Sequence, residues 1–291
     1  MSTTAITPGI RPARSNPPAA RRRIPTAAGA LVTLARRRAS RTSRTPRQIA
    51  VPLLGPLLLA LVAAPALKAA TGGLRSHIDY AAFIDIGTIG LLVPLTCIFA
   101  GVSVIIDREQ GAQRELLSAP VPRAYLVIGN LAVALPLAAL QVIVLLALAA
   151  LRGAHFNITA SGVAWFVGAT VLFTVFIYGV AETLASRIRK QEDYVAAIPA
   201  VAILPFFFAG ALFPINAMPA ALATIAKFMP LTPALALMRY AFVDPRGTGL
   251  HAIWGMHNVT TEAWLSLAVV AAFAAALTAI SIRVFSRSAV G

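Results

Sequence analysis

The stretch DREQGAQRELLSAPVPR, residues 107–123, decides the fold because it is a charged island between two long apolar runs. Its three acidic and three arginine side chains cancel in charge. The run before it, 83–106, contains one charged residue, Asp85, and the run after it, 125–151, contains none. Each run is longer than the roughly 20 apolar residues that cross the hydrocarbon layer of a membrane. The island is therefore predicted to be a loop between two membrane spans.

The composition extends this conclusion to the whole chain. Of its 291 residues 58% are hydrophobic and 12% are charged, which is far more apolar than a soluble domain. The apolar runs predict an all-α polytopic protein with six spans at 49–67, 83–106, 125–151, 163–186, 194–212 and 263–285. The net charge of +15 includes 11 arginines within the first 50 residues. No aromatic residues are interleaved with these arginines, so we expect no nucleic-acid partner.

The distribution of Lys and Arg predicts the orientation in the membrane. With the N-terminus inside, 19 of these residues fall on the inner side and 6 on the outer side. Both termini and the island are therefore expected in the cytoplasm. Residues 1–28 are predicted to be a disordered basic tail. Residues 29–48 are predicted to form an amphipathic helix in the bilayer interface, or alternatively a basic flank that only fixes orientation.

Two acidic residues fall inside predicted spans. Glu182 is about 6 Å from the inner end of its span, close enough to reach the surface or to pair with Arg187 and Arg189. We expect a paired glutamate of this kind, and a proton-relay glutamate is the alternative. Asp85 is equally shallow at the outer end and receives the same interpretation as a paired residue.

The segment 214–262 predicts a helical hairpin on the outer side. Pro219 is positioned to open a helix that ends at Pro230. Thr232 is then predicted to be the N-cap of a second helix, with Pro233 at its first position. Both helices are expected to be short, amphipathic and external. The same pattern also fits an ordinary folded loop, just as the island by itself fits either a short surface helix or a plain connection.

Two groups of residues resemble the motifs of type-2 ABC exporter permeases, the group that includes the daunorubicin-resistance permease. In the island the resemblance is carried by Glu109, Gly111, Glu115, Leu116, Leu117, Pro120, Arg123 and Gly129. Near the fifth span it is carried by Phe208, Gly210, Pro214, Met218, Pro219, Pro230, Leu231, Thr232, Pro233 and Arg239. Asn130 and Met229 stand where the family commonly has Lys and Asn.

The resemblance implies a permease domain over residues 49–287 that works with a separate ABC ATPase subunit and a second permease subunit. In that arrangement the island is the coupling helix, in which Leu116 and Leu117 enter the ATPase, Glu109, Arg114 and Glu115 pair at the rim, and Gly111, Pro120 and Arg123 complete the motif. The outer residues Phe208, Gly210, Pro214, Pro219, Pro230, Pro233 and Arg239 would form an extracellular gate.

The family exports drugs, antibiotics, lipids and polysaccharides from bacterial cells. The nearly uncharged spans favour a hydrophobic or amphipathic cargo, and antibiotic resistance is the role expected from the resemblance. The chain has no G-x-x-x-x-G-K-[ST] loop, so we expect no cofactor here, no enzyme activity of its own, and ATP with Mg²⁺ in the partner. The alternative function is a self-contained secondary carrier, which usually has ion-binding charges at the midplane of the membrane.

Overall fold

The computed structural model describes residues 46–63, 65–66, 79–109 and 124–288, with the single positions Arg36 and Ser40. All regular structure in this part of the chain is helical. The helices are α1 (Pro46–Leu58), α2 (Tyr80–Glu109), α3 (Ala124–Leu151), α4 (Ala160–Arg187), α5 (Gln191–Ala196), α6 (Leu204–Phe208), α7 (Ala220–Phe228), α8 (Leu231–Phe242), α9 (Thr248–Trp254) and α10 (Val259–Ser288).

The prediction of an all-α polytopic membrane protein is confirmed. Five described segments are long and apolar enough to cross a membrane, namely α2, α3, α4, α10 and the segment Gln191–Phe208. They correspond to the second through sixth predicted spans. The first predicted span is represented by a shorter apolar helix, Ala50–Ala63. Most of the predicted interfacial helix at 29–48, and the whole tail at 1–28, lie outside the described residues.

Short polar side chains fix where three of the spans begin. The Asp79 carboxylate accepts a hydrogen bond from the backbone N–H of Ala81 at 3.1 Å, at the start of α2. Thr159 accepts from the N–H of Gly162 at 3.0 Å before α4, and Asn258 accepts from the N–H of Thr260 at 2.9 Å before α10. The first N–H groups of a helix have no partner within it, so these side chains replace the missing acceptors. We call the end of the bundle with Asp79, Thr159 and Asn258 the predicted outer end.

Helix α4 lies at the centre of the bundle and packs against α2, α8 and α10. Trp165 contacts Trp264 with ring centroids 4.8 Å apart, so α4 and α10 run side by side in the same direction. Further along, a Cβ atom on Gly179 would lie 2.9 Å from Cβ of Leu277 and 3.0 Å from its carbonyl carbon. Glycine at this position lets the two backbones approach, as small residues do in membrane helix pairs.

The fifth span is interrupted near its middle. After α5 the chain forms a π-helical turn over Pro199–Ile203 and then resumes as α6. Pro199 and Pro205 each lack the backbone N–H that would continue the regular pattern, which is the physical reason for an irregular turn between them. The span ends at Gly210, whose φ of 77° is in the left-handed region that glycine tolerates.

Helix α8 corrects the prediction of two external amphipathic helices. Except for the half-buried Tyr240, every residue from Leu231 to Asp244 is buried, whereas α7 is largely exposed. The two helices meet at 88°, so the pair is either a broken span or a re-entrant segment. Leu231 and Leu235 pack against Gly90, about 15 Å along α2 from Tyr80. Helix α8 therefore reaches about halfway into the bundle.

The outer half of α8 is held by aromatic and backbone contacts. Phe242 stacks on Phe166 of α4 with ring centroids 4.4 Å apart, and its carbonyl accepts from the N–H of Asn157 at 2.7 Å. Cys97, the single cysteine of the chain, is fully buried in α2, where its thiol lies 3.8 Å from the carbonyl oxygen of Thr174 in α4.

The close approach at Gly179 gives a testable prediction. Replacing Gly179 with Ala forces α10 away from α4, and overpacking of this kind costs about 1–3 kcal/mol. Gly168→Ala is the matched control on the same two helices, because its Cβ would make an ordinary contact 3.6 Å from Cδ1 of Leu267. We expect a lower thermal unfolding midpoint in detergent for Gly179→Ala and an unchanged or higher one for Gly168→Ala. Equal midpoints would contradict the packing described for α4 and α10.

Candidate functional site

The coupling island is described only at its beginning. Glu109 is the last residue of α2 and its side chain is exposed. The other predicted coupling residues lie outside the described residues, namely Gly111, Arg114, Glu115, Leu116, Leu117, Pro120 and Arg123. The predicted roles of these residues therefore remain predictions. The described helices on either side, α2 and α3, end and begin where the sequence predicts the flanking spans.

Arg108, one residue before Glu109, connects the inner end of α2 to the inner end of α4. Its guanidinium donates hydrogen bonds to the carbonyl oxygens of Ala185 at 3.0 Å, Ile188 at 2.7 Å and Arg189 at 2.9 Å. The last carbonyls of a helix have no intrahelical donor, and they carry the negative end of the helix dipole. The positively charged guanidinium of Arg108, with several N–H donors, is therefore a favourable partner for these carbonyls. In the sequence Arg108 is recognisable only as one of the charges of the island, because its partners are backbone carbonyls.

Arg239 is the most extensively bonded side chain of the predicted gate. It is only 7% exposed, and it donates to the carbonyl oxygens of Gly210 at 2.8 Å, Ala211 at 2.6 Å and Phe83 at 3.3 Å. Its Cζ atom also lies 3.4 Å from the centroid of the Phe83 ring, which is a cation–π contact. A buried cation is costly unless it is hydrogen-bonded, and here the backbone supplies the partners.

The contacts of Arg239 join three parts of the chain. Arg239 belongs to α8, Gly210 and Ala211 end the fifth span, and Phe83 is in the first turn of α2. The close fit extends to Gly87, where a Cβ atom would overlap the same Ala211 carbonyl. Tyr80 adds a parallel link, because its hydroxyl donates to the carbonyl of Leu212 at 2.8 Å. The predicted outer end of α2 is thus fixed to the end of the fifth span.

The other predicted gate residues lie around this junction without sharing one site. Phe208 is half-buried at the end of α6, and Pro214 is exposed before the 3₁₀ turn Ile215–Ala217. Pro219 and Pro230 precede the first residues of α7 and α8, and Pro233 is buried within the first turn of α8. Among the seven predicted gate residues, the described side-chain hydrogen bonds connect one pair, Arg239 and Gly210.

Thr232 does not act as the predicted N-cap. Helix α8 begins one residue earlier, at Leu231, with Pro230 in the capping position. The Thr232 hydroxyl instead donates to the carbonyl of Ala226 in α7 at 2.5 Å. This bond closes the corner between the two helices. The sequence pattern of Thr followed by Pro fits a cap locally, but the available acceptor across the corner decides the geometry.

A second arginine joins the predicted outer ends of three helices. Arg152, just after α3, forms an ion pair with Asp85 of α2 at 2.8 Å and also donates to the carbonyl of Ala60. The expected pairing of Asp85 is therefore confirmed, and its partner is the residue that follows the neighbouring span. The Asp85 carboxylate is buried, and the partly exposed Arg152 guanidinium supplies the opposite charge that a buried carboxylate requires.

Glu182 corrects the expectation of a glutamate that extends to the surface. Its side chain is fully buried, and one carboxylate oxygen accepts a hydrogen bond from the Tyr178 hydroxyl at 2.8 Å. Arg187 is exposed at the end of the same helix. The predicted inner surface lies within reach by distance along the helix, but the side chain is buried inside the bundle. The direction of a side chain around a helix depends on packing, which spacing from the helix end does not reveal.

Glu262 is a further buried acid that the sequence analysis did not single out. It lies in the first turn of α10, where its carboxylate accepts from the backbone N–H of Met256 at 2.7 Å and lies 3.3 Å from Nδ1 of His251. A carboxylate near a helix N-terminus is favoured by the helix dipole. Among the residues that the structure describes, no group of three or more His, Cys, Asp or Glu could hold a metal ion.

Comparison with known proteins adds one positive finding. A family model described as ABC-2 type transporter matches residues 29–243, which is more than half of the chain. The matched stretch includes the island and all of α8, and it stops one residue after α8 ends. Helices α9 and α10 lie beyond it. No curated protein matches the chain.

Arg239 gives the testable prediction of this site. Arg239→Ala leaves the carbonyls of Gly210 and Ala211 without their side-chain donor and removes the link to Phe83 of α2, which costs at least about 3 kcal/mol. The corresponding fall in the thermal midpoint in detergent is roughly 6–12 °C. Arg239→Lys recovers only part of this, because an ammonium lacks the planar fork. The exposed Arg246 supplies the control Arg246→Ala, for which we expect no change. A stable Arg239→Ala variant would contradict the anchoring role.

Proposed function

Because the chain belongs to the ABC-2 type transporter family, and is therefore the membrane permease component of an ABC transporter and not its ATPase, we propose that it exports a hydrophobic or amphipathic cargo. The observation that carries the cargo class is the placement of charge in the bundle. Three arginines at or near the ends of described helices, Arg108, Arg152 and Arg239, bind backbone carbonyls or Asp85, so they are already engaged within the protein. Away from the predicted inner end, where Arg187 and Arg283 are exposed, the described spans offer a cargo mainly apolar side chains.

The proposed transporter contains an ABC ATPase subunit, which binds ATP and Mg²⁺, and a second permease subunit that is identical or related. The two permeases enclose the pathway in the lipid bilayer, with both termini of each chain in the cytoplasm. Drugs, antibiotics and lipids fit the apolar pathway, and antibiotic resistance in a bacterial cell is the proposed role. Large exposed side chains such as Leu140 and Ile143 on α3 suit contact with lipid or with a second subunit.

The proposed coupling helix is the island at residues 107–123. Leu116 and Leu117 enter a groove of the ATPase, while Glu109, Arg114 and Glu115 pair with charges at its rim. The position of Glu109 at the exposed end of α2 supports this, since a force on the island is applied directly to a long span. Closure of the two ATPase subunits around nucleotide then changes the tilt of the spans.

The proposed gate consists of a fixed part and a movable part. Helix α8 is the fixed part, because Arg239 anchors it to α2 and to the end of the fifth span. Helix α7 is the movable part, since most of its residues are exposed and it meets α8 at a sharp corner. Phe228 and Ile225 of α7 are 80% and 51% exposed, so the movable part presents apolar side chains to a leaving cargo.

The coupling role is tested by introducing charge at the apolar pair Leu116 and Leu117. Changing both Leu116 and Leu117 to Asp places two carboxylates in an apolar groove, where unpaired charges are strongly disfavoured. We expect loss of co-purification with the ATPase subunit and unchanged insertion into the membrane. Gln113→Asp adds a charge to the same island outside the leucine pair, and it serves as the control. Co-purification at the level of the unmodified chain would refute the coupling assignment.

The cargo class and direction are tested in inside-out membrane vesicles. Export from the cell appears there as uptake, so ATP should drive accumulation of an amphipathic fluorescent dye when permease and ATPase are both present. A hydrophilic fluorescent sugar of similar size should not accumulate, because the pathway offers it few free polar partners. Vesicles with the Leu116 and Leu117 double variant provide the control for coupling. Selective uptake of the sugar would overturn the proposed cargo class.

A further inference from the structure

Arg108 forms a three-way junction at the predicted inner end of the bundle. Its guanidinium binds the carbonyls of Ala185, in the last turn of α4, and of Ile188 and Arg189 in the α4–α5 connection, residues 188–190. The N–H of Ile188 still bonds to the carbonyl of Leu184 at 2.8 Å. The end of α4 therefore keeps its helical geometry while its outward-facing carbonyls are held by a residue of α2.

A second side chain braces the same three helices one turn or more away from Arg108. The hydroxyl of Tyr194, in α5, lies 3.1 Å from the carbonyl oxygen of Ile98 in α2 and 3.3 Å from that of Ala181 in α4. A Cβ atom on Gly101 would overlap this hydroxyl, so glycine makes room for it. The two braces leave α2, α4 and α5 little freedom to slide past one another at this end.

The position of Arg108 in the chain places this junction directly beside the coupling motif. It is the residue immediately before Glu109, with which the coupling motif begins. Any force that the island transmits to α2 must pass through the turn that contains Arg108. Packed apolar side chains can change rotamer when helices move. Three charge-assisted hydrogen bonds from one planar guanidinium instead fix both the distance and the orientation between the end of α2 and the end of α4.

We propose that Arg108 is a positioning residue that makes the α4–α5 connection follow the coupling island. The inference rests on the proposed function, because it assumes that the ATPase acts on the island. Through Arg108 a displacement of the last turn of α2 reaches the central helix α4 and the interrupted fifth span together. Without this side chain the last turn of α2 moves without the α4–α5 connection, while Tyr194 still holds α2, α4 and α5 together further along the helices.

The test is hydrogen exchange measured on the complex of permease and ATPase, compared between the nucleotide-free state and the state trapped with ATP and vanadate. In the unmodified complex, ATPase binding protects island amides, and nucleotide changes the exchange of residues 188–196. In Arg108→Ala we expect island protection to remain and ATP hydrolysis to stay within about twofold, while the nucleotide-dependent change at 188–196 falls about fivefold or more.

Two further variants sharpen the test. Arg187→Ala removes an exposed arginine from the same end of α4, and its exchange response should equal that of the unmodified complex. Arg108→Gln keeps a polar side chain but has donors on a single nitrogen, so it cannot serve three carbonyls and should also lose the response. If Arg108→Ala does not fold, Arg108→Gln provides the measurement. A full response at 188–196 in either folded variant overturns the proposal.

The same experiment separates this inference from the proposed function. Absence of island protection by the ATPase in the unmodified complex overturns the coupling assignment itself, and the role of Arg108 with it. Island protection together with an undiminished response in the Arg108 variants overturns only the positioning role.

Discussion

Every backbone carbonyl that lacks a helical partner inside an apolar bundle must find a donor within the protein, and the structure depends on how this requirement is met. A lipid environment offers no water to replace a lost bond, and each unsatisfied group costs several kcal/mol. Three arginines provide donors at the points where helices end or break. Arg108 serves the end of α4, Arg152 the apolar helix Ala50–Ala63 near its end, and Arg239 the end of the interrupted fifth span.

This arrangement explains how a bundle with few charged residues holds a half-length helix in its interior. Helix α8 has no continuous span of its own, and its end in the bundle meets α7 at a sharp corner. The corner is closed by Thr232, the body of α8 packs on Gly90, and Arg239 connects its outer half to α2. The contacts with Gly90 and with α2 join residues far apart in the chain. The predicted outer end is therefore ordered by specific polar contacts, while the central α4–α10 pair is ordered by the close approach at Gly179.

The spans could be predicted because a long apolar run has few alternatives to a membrane helix, and residues 83–106 and 125–151 show this directly. The position of α8 could not be predicted in the same way. Its sequence mixes Leu, Ala, Met and one Arg, which fits an external amphipathic helix as well as a buried one. The deciding partners of Arg239 are backbone carbonyls, and a carbonyl leaves no signature in a sequence. Glu182 was misjudged for a related reason, since depth along a helix does not determine the face that a residue occupies. The island motif was recognised by its residue pattern, and most of its residues lie beyond the part of the chain that the structure describes.

The burial of Cys97 has a practical consequence for the chemistry of the purified protein. A thiol reagent must reach the sulfur to react, and in the folded bundle this sulfur is enclosed between α2 and α4. A dye that fluoresces on alkylation would therefore stay dark with the native protein and light up as the helices separate. The chain thus contains its own indicator of unfolding. It also accepts an introduced cysteine at an exposed position as a selective attachment point for a label, with no need to remove the native one first.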